Sequence, residues 1–384
     1  MDFNLTEEQR LWRSTVHDFC ENEIKHRAAA LDARAEFPAD LYVRMAPLGL
    51  LAMNVPEAHG GTGLDTLSAT LALEELAWAD GGTALSVAAH NGLGCAPIDL
   101  FGSEAQKKRW LPGLAQGEPG LGALALTEPS GGSDLAGSVQ TRAVRRGERW
   151  IVNGSKAWIT NASVAWVIVV LCRTGSAEGP AGLSLLVVPR ETAGVEVHPA
   201  EDKMGTRSSP THALTFQDAE VPSDFLLGRP GEGLRQALQV LDGGRVGVGA
   251  IALGLARAAF EEAVRYAKSR QAFGAPLAAR QAIQWMIADA ATQIEAARLL
   301  VHRAALLKDS GHPYTREAAM AKLFATEMAE KVCRDAIQIH GGYGYSREVP
   351  VERLYRDARL MTIGEGTSEI QRLVIARRTL GLEE

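Results

Sequence analysis

The chain has 384 residues, enough for two or three ordinary domains, with 46% hydrophobic and 22% charged residues and a net charge of −6. Its longest unbroken apolar run, Val164–Cys172, is far short of the ~18 residues of a membrane span. Mild acidity without a basic cluster also disfavours nucleic acid as the main partner. Glycine is in excess, 39 residues in all, about 10% where ~7% is usual.

The opening, MDFNLTEEQR, has no apolar core of the kind a secretory signal needs, and Cys20, Cys95, Cys172 and Cys333 are too scattered for a disulfide framework or a cysteine-rich zinc site. Both features point to a reducing cytoplasm. Thr6 and Gln9 form a capping box ahead of an amphipathic run through Leu11, Val16, Phe19 and Ile24. Shorter helices follow, broken by Pro38, Pro47, Pro56 and Pro97, with a loop at Pro56–Gly63 and renewed helix over Leu67–Ala77. Between about 118 and 228 the period changes. Trp150–Val152, Ala165–Leu171, Leu183–Val188 and Ala213–Phe216 read as short strands of a barrel or sandwich. From about 229 helical periodicity returns: Ile283, Ile287, Ala290, Ile294, Ala297 and Val301 mark one buried face of a long bundle helix.

A G-x-G-x-x-A match at Gly247, Gly249 and Ala252 lies inside a predicted helix with no strand before it, so it is not a dinucleotide fingerprint. The nine histidines lack metal-ligand spacing, and no metal is expected. Four segments could carry chemistry. Ala125–Asp134 (ALTEPSGGSD) offers backbone N–H groups and hydroxyls that suit a polar ring or phosphate, or else simply connects elements. In Lys156–Asn161 (KAWITN), Trp158 either stacks on a cofactor or fills a core. Gln338–Tyr345 (QIHGGYGY) is a helix stop or a ligand clamp. In Ile363–Gln371 (IGEGTSEIQ), Ser368 and Gln371 suggest a second capping box, leaving Glu365 on a loop at a helix start, where it could merely complement the helix dipole.

Together these segments resemble the acyl-CoA dehydrogenase family over nearly the whole chain. ALTEPSGGSD with Gly137, the QxxGGxGYxxE pattern running on through Arg353 to Asp357, LTEEQ, LDGGRVGVGAIALG and EGTSEIQ stand in the family's order. SRQAFGAPL, NGSKAWITN and LDGGR look most like its short-chain, butyryl-type branch. The resemblance implies a multi-domain α+β fold: an N-terminal α-helical domain over 1–118, a middle β-barrel or sandwich domain over 119–228, and a C-terminal four-helix-bundle domain over 229–384. It also implies FAD, an acyl-CoA substrate, a homotetramer and electron-transferring flavoprotein as acceptor.

In family terms Glu365 is the base that takes the α proton while the β hydrogen leaves as hydride, and its own N–H helps hold the thioester carbonyl. A minority of relatives carry the base just before the arginine of LD-x-x-R. Here that position is Gly244, which leaves Glu365. Cofactor contacts carry over to Leu124, Ala125, Leu126, Thr127, Ser133, Trp158, Ile159 and Thr160, and to Thr367 and Glu369. Arg270, Gln281 and the backbone of Gln338, Ile339, His340, Gly341 and Gly342 are expected to complete a neighbouring subunit's cofactor site. Substrate contacts carry over to Ser133, Asp242, Arg245 and Gly366. No Lys or Arg occurs from Ala77 to Pro97, around the Ala84 position where a glutaryl-type enzyme needs an arginine, so a dicarboxylyl substrate is disfavoured. A branched acyl-CoA or a carrier-protein thioester stays open as an alternative, and a DNA-associated relative as a remote one.

Overall fold

A computed structural model describes residues 4–175 and 179–382, so Met1–Phe3 of the opening segment lie outside it. The N-terminal helices are α1 (Glu7–Phe19), α2 (Ala28–Arg34), α3 (Ala39–Met45), α4 (Thr66–Ala79), α5 (Gly81–Ala88), α6 (Ala96–Phe101) and α7 (Glu104–Gln116). The Thr6–Gln9 capping box is present. Pro97 does not separate two helices: a π-helical segment, Ala89–Cys95, joins α5 to α6, and Pro97 stands in the turn that follows it. Every residue of α4 is buried, as expected of a helix with no polar face to give to water. Its two carboxylates are neutralised in place: Glu74 meets Arg257 at 2.9 Å and Arg298 at 3.1 Å, and Glu75 meets Arg13 at 2.7 Å.

The middle region holds β1 (Leu121–Ala125), a single turn α8 (Leu135–Ser138), β2 (Arg142–Arg146), β3 (Arg149–Thr160), β4 (Ala165–Arg173), β5 (Leu183–Pro189), β6 (Val195–Ala200), β7 (Thr211–Pro222) and β8 (Leu226–Leu227). These strands form one sheet in the order β6-β7-β3-β2-β4-β5-β8, with β1 parallel to β4. A single parallel pairing, Arg142 with Arg173, joins its halves, and both halves contribute to one apolar core. β1 is tied to the N-terminal helices by a backbone-to-backbone approach: a Cβ on Gly122 would lie 2.8 Å from the Cα of Gly94.

The C-terminal helices are α9 (Gly233–Ser269), α10 (Gln281–Asp309), α11 (Thr315–His340), α12 (Val351–Met361) and α13 (Ser368–Leu380), with a small hairpin β9 (Gln271–Ala272) and β10 (Ala275–Pro276) after α9. α9 is long and apolar enough to cross a membrane, yet most of it is buried in the protein. It packs against α4, α10 and α11, so N- and C-terminal helices share one continuous core. The glycines of the false dinucleotide match are spacing devices on α9: a Cβ on Gly249 would meet Val301 at 3.0 Å. On α10, Ala290, Ile294, Ala297 and Val301 are buried, whereas Ile283 and Ile287 are only partly so and lie against the same core.

Candidate functional site

Glu365 sits between α12 and α13 in the left-handed backbone region, at φ +53°, a conformation a non-glycine residue keeps only when its surroundings enforce it. Two donors fix the next carbonyl. Lys322 Nζ, on α11, donates to the Gly366 oxygen at 2.7 Å, and Gln371 Nε2 donates to the same atom at 2.8 Å and to the Glu365 oxygen at 3.4 Å. The expected capping box at Ser368 is therefore not formed. Thr367 is the N-cap, accepting from the Ile370 amide at 3.4 Å, and the Gln371 side chain turns back to the Glu365 loop. Its amide is worth more on a buried carbonyl than at an exposed helix start.

The Glu365 side chain points at α9. Its Oε2 is buried with no hydrogen-bond partner in the protein, and a Cβ on Gly244 would lie 1.9 Å from it. Burial pushes this carboxyl up to about 7, against the pull of Lys322 and Arg245. Next to Gly244 on α9, Arg245 is 4% exposed and pairs with Asp242 three residues before it, whose other oxygen accepts from Thr315 Oγ1 at 2.6 Å. Burial raises Asp242, opposed by Arg245. A carboxylate of raised basicity, a polar pair beside it and adjoining backbone make an arrangement able to take a weakly acidic proton.

A second constellation lies on the sheet. Ala157 N–H donates to the Thr127 carbonyl at 3.0 Å, bringing the ends of β1 and β3 together. The fully buried Lys156 bridges the Leu126 carbonyl and Glu128 Oε1, both at 2.9 Å, and Glu128 also accepts from the amides of Gln140 and Thr141. The pairing of β3 with β7 slips between Lys156 and Ile159, and Trp158 takes φ +61°. Such a bulge re-aims a side chain. Trp158 is thrown outward, 61% exposed, while Ile159 is buried. Leu124, Ala125 and Leu126 are buried at or just beyond the end of β1, Thr127 and Thr160 are half-buried, and Ser133 is exposed on the loop before α8.

The third constellation is a cleft of about 570 Å³ where α9 and α11 end, lined by Arg270, Tyr266, Ile339, His340, Gly341 and Gly342 among others. Tyr266 and His340 stack with centroids 4.3 Å apart, giving an aromatic wall. A Cβ on Gly341 or Gly342 would meet nothing within 4 Å, so that backbone is open to a ligand. Gln338 accepts the Gly341 amide at the helix end, and Gln281 is the exposed first residue of α10. Thr367 and Glu369 belong to the Glu365 loop and the start of α13.

These groups suit FAD: an exposed tryptophan with glycine-rich backbone beside it for the ring system, and an arginine facing an aromatic wall for phosphate and base. The arginine lies far from the Glu365 end of α9 in the same chain. Gly244 and Arg270 are 26 residues apart on or at the end of α9, about 39 Å along the axis. Ala84, the position compared with a distal-carboxylate arginine, is completely buried. Among the described residues no group of His, Cys, Asp or Glu is placed to hold a metal ion.

Sequence reasoning passed over Lys322 and misplaced Gln371. The signal for Lys322 was there: Ala318, Ala321, Ala325 and Ala329 are buried on α11, and a lysine in that phase is a charge directed into the protein.

Comparison with known proteins places the whole chain. Family models for the acyl-CoA dehydrogenase N-terminal, middle and C-terminal domains match residues 6–118, 123–219 and 231–380. The chain is 47% identical over 376 residues to the mitochondrial short-chain specific acyl-CoA dehydrogenase of Mus musculus, covering 98% of this chain and 91% of that protein. Butyryl-CoA dehydrogenase from Megasphaera elsdenii superposes with a TM-score of 0.96 at 42% identity, covering 99% and 100% of the two chains. An acyl-CoA dehydrogenase from Bacillus anthracis, solved with FAD, superposes with a TM-score of 0.93 at 37% identity, covering 98% of this chain and 67% of that one.

Proposed function

The chain belongs to the acyl-CoA dehydrogenase family, and from that premise we propose that it oxidises short-chain acyl-CoA thioesters to trans-2-enoyl-CoA, with Glu365 as the base. It is an FAD-dependent oxidoreductase. The observation that carries the assignment of the base is the Glu365 carboxylate itself: buried, unpartnered at Oε2 and pressed against Gly244.

Bound FAD supplies the acceptor for the β hydrogen. The protein's part is the α proton and the carbonyl. Glu365 takes the proton onto its carboxylate, and its own amide is the donor for the thioester oxygen, where negative charge grows. Asp242 and Arg245 hold the ligand beside α9, with Gly366 backbone and Ser133 as further contacts. Leu124, Ala125, Leu126, Thr127, Ser133, Trp158, Ile159, Thr160, Thr367 and Glu369 hold the cofactor from the chain that carries the base.

Arg270, Gln281 and the segment Gln338–Gly342 serve a neighbouring chain's cofactor, because about 39 Å of α9 is more than one dinucleotide spans. A homotetramer provides that neighbour. Its support is an apolar stripe on α10, where Trp285, Leu299 and Leu306 are 60%, 47% and 47% exposed at heptad-compatible spacing. Electrons pass on to an electron-transferring flavoprotein, and the four buried free thiols suit a reducing cytoplasm.

The test is Glu365→Gln. The purified variant should keep its flavin absorbance yet show flavin reduction by butyryl-CoA slowed by orders of magnitude in an anaerobic stopped-flow bleach. Reduction at the parent rate refutes the assignment.

A further inference from the structure

We propose that Lys322 is a positioning residue for the base: its ammonium, seated on the Gly366 carbonyl, locks Glu365 in its left-handed turn and supplies the charge that favours the ionised carboxylate. The inference rests on Glu365 being the base.

Three observations carry it. Lys322 is completely buried, an expensive place for an ammonium unless its charge is used. Its hydrogen-bond partner is not a carboxylate but the backbone oxygen of Gly366, 2.7 Å away. That oxygen is already satisfied by Gln371 at 2.8 Å, so the lysine is not there to rescue an orphaned acceptor. The two donors converge on the carbonyl of Gly366, the residue after Glu365, and so hold a turn in which Glu365 has φ +53° and Gly366 φ +94°.

The electrostatic surroundings agree. Facing Glu365 are Lys322 from α11 and Arg245 from α9, the first exerting the larger pull toward the charged form. Arg245 is engaged by Asp242, which leaves Lys322 as the cation not tied to another carboxylate nearby. Burial lowers Lys322 to about 8, with Glu365, Glu327 on α11 and Glu369 on α13 drawing it up and Arg245 pushing it down. Glu365 is the leading carboxylate in that set. Lysine and base thus each favour the charged form of the other.

The experiment follows the Glu365 carboxyl directly in the holoenzyme. Infrared difference spectra against pH report its protonated C=O stretch, identified as the band missing in Glu365→Gln. They are recorded for the parent, for Lys322→Met, which removes charge and donor, and for Lys322→Gln, which keeps an amide donor without charge. Flavin reduction by butyryl-CoA is measured across the same pH range.

The carboxyl midpoint should rise by about one pH unit in both variants, with a roughly tenfold lower reduction rate below that midpoint. Toward pH 9 Lys322→Gln should recover most of the parent rate and Lys322→Met less, because only the former still holds the loop. An unchanged midpoint in both variants overturns the proposal, as does a uniform rate loss at every pH with no shift. Parent-like reduction by Glu365→Gln would instead overturn the base assignment, while the infrared midpoints would still decide whether the two groups are coupled.

Discussion

Gly244→Ala isolates the position of the base from every other property of the site. A methyl on residue 244 would lie 1.9 Å from Glu365 Oε2 and 3.0 Å from its carboxyl carbon. Ordinary contact begins near 3.4 Å, so the oxygen must retreat by about 1.5 Å. The obstacle is the end of a flexible side chain, so the fold can accommodate the change. Alanine also favours an α-helix interior over glycine by about 1 kcal/mol, which offsets part of the contact cost in α9.

Stability and flavin content should therefore stay near the parent's while the chemistry suffers. Displacing a reacting group by about 1 Å costs on the order of 100-fold, or roughly 2.7 kcal/mol of barrier. The assay is single-turnover flavin reduction by saturating butyryl-CoA, normalised to bound flavin, with a thermal melt of the holoenzyme as the fold control. Loss of at least ~100-fold with a melt within a few degrees of the parent is the expected result. Parent-like reduction would show that the carboxylate does not react from its place against α9.

The remaining predictions test the supports of the site. Lys156→Met strands Glu128 in the interior with only amide donors, so the holoenzyme should lose about 3 kcal/mol in denaturant titration; adding Glu128→Gln should return most of it. The reduction rate of the parent should rise with pH through about 7, because Glu365 must be ionised to act, and a flat profile between pH 5.5 and 8 would contradict this. The same group's contribution to folding stability has the opposite sense: a folded value above the ordinary 4.5 gives stability that is complete below 4.5 and is lost as pH rises through about 7. If each cofactor site is built from two chains, Glu365→Gln and Arg270→Glu subunits, each inactive alone, should regain activity when co-expressed, since some hybrid sites combine an intact Glu365 with an intact Arg270. Inactive hybrids would place the whole site in one chain.

The parts legible in the sequence were those fixed by short-range periodicity. The short runs rich in β-branched and aromatic residues in the middle third mark strands, the three- and four-residue spacing of Ala290, Ile294, Ala297 and Val301 follows from burying one face of a helix, and the structure has strands and a helix there. What escaped depends on contacts distant in the chain. The slip between Lys156 and Ile159 that exposes Trp158 is set by pairing with β7, more than 50 residues further on. Ser368 and Gln371 have the spacing of a capping box, but Thr367 is an equally good cap one residue earlier, and Gln371 is drawn off by two carbonyls that only tertiary structure presents. Lys322 was legible in principle from its phase on α11; the identity of its partner was not.

The glycine at 244 shows why excluding it as a base and assigning Glu365 amount to one statement. On sequence they are separate positions, 121 residues apart, and choosing between them looks like a matter of which side chain can ionise. In the fold they face each other so closely that a side chain on one enters the space of the other's carboxylate. Two carboxylates in that space would repel and force one of them to stay protonated. One backbone must therefore be bare for the other's carboxyl to enter, and Lys322 is held on the Gly366 carbonyl, beside the position that keeps its glutamate.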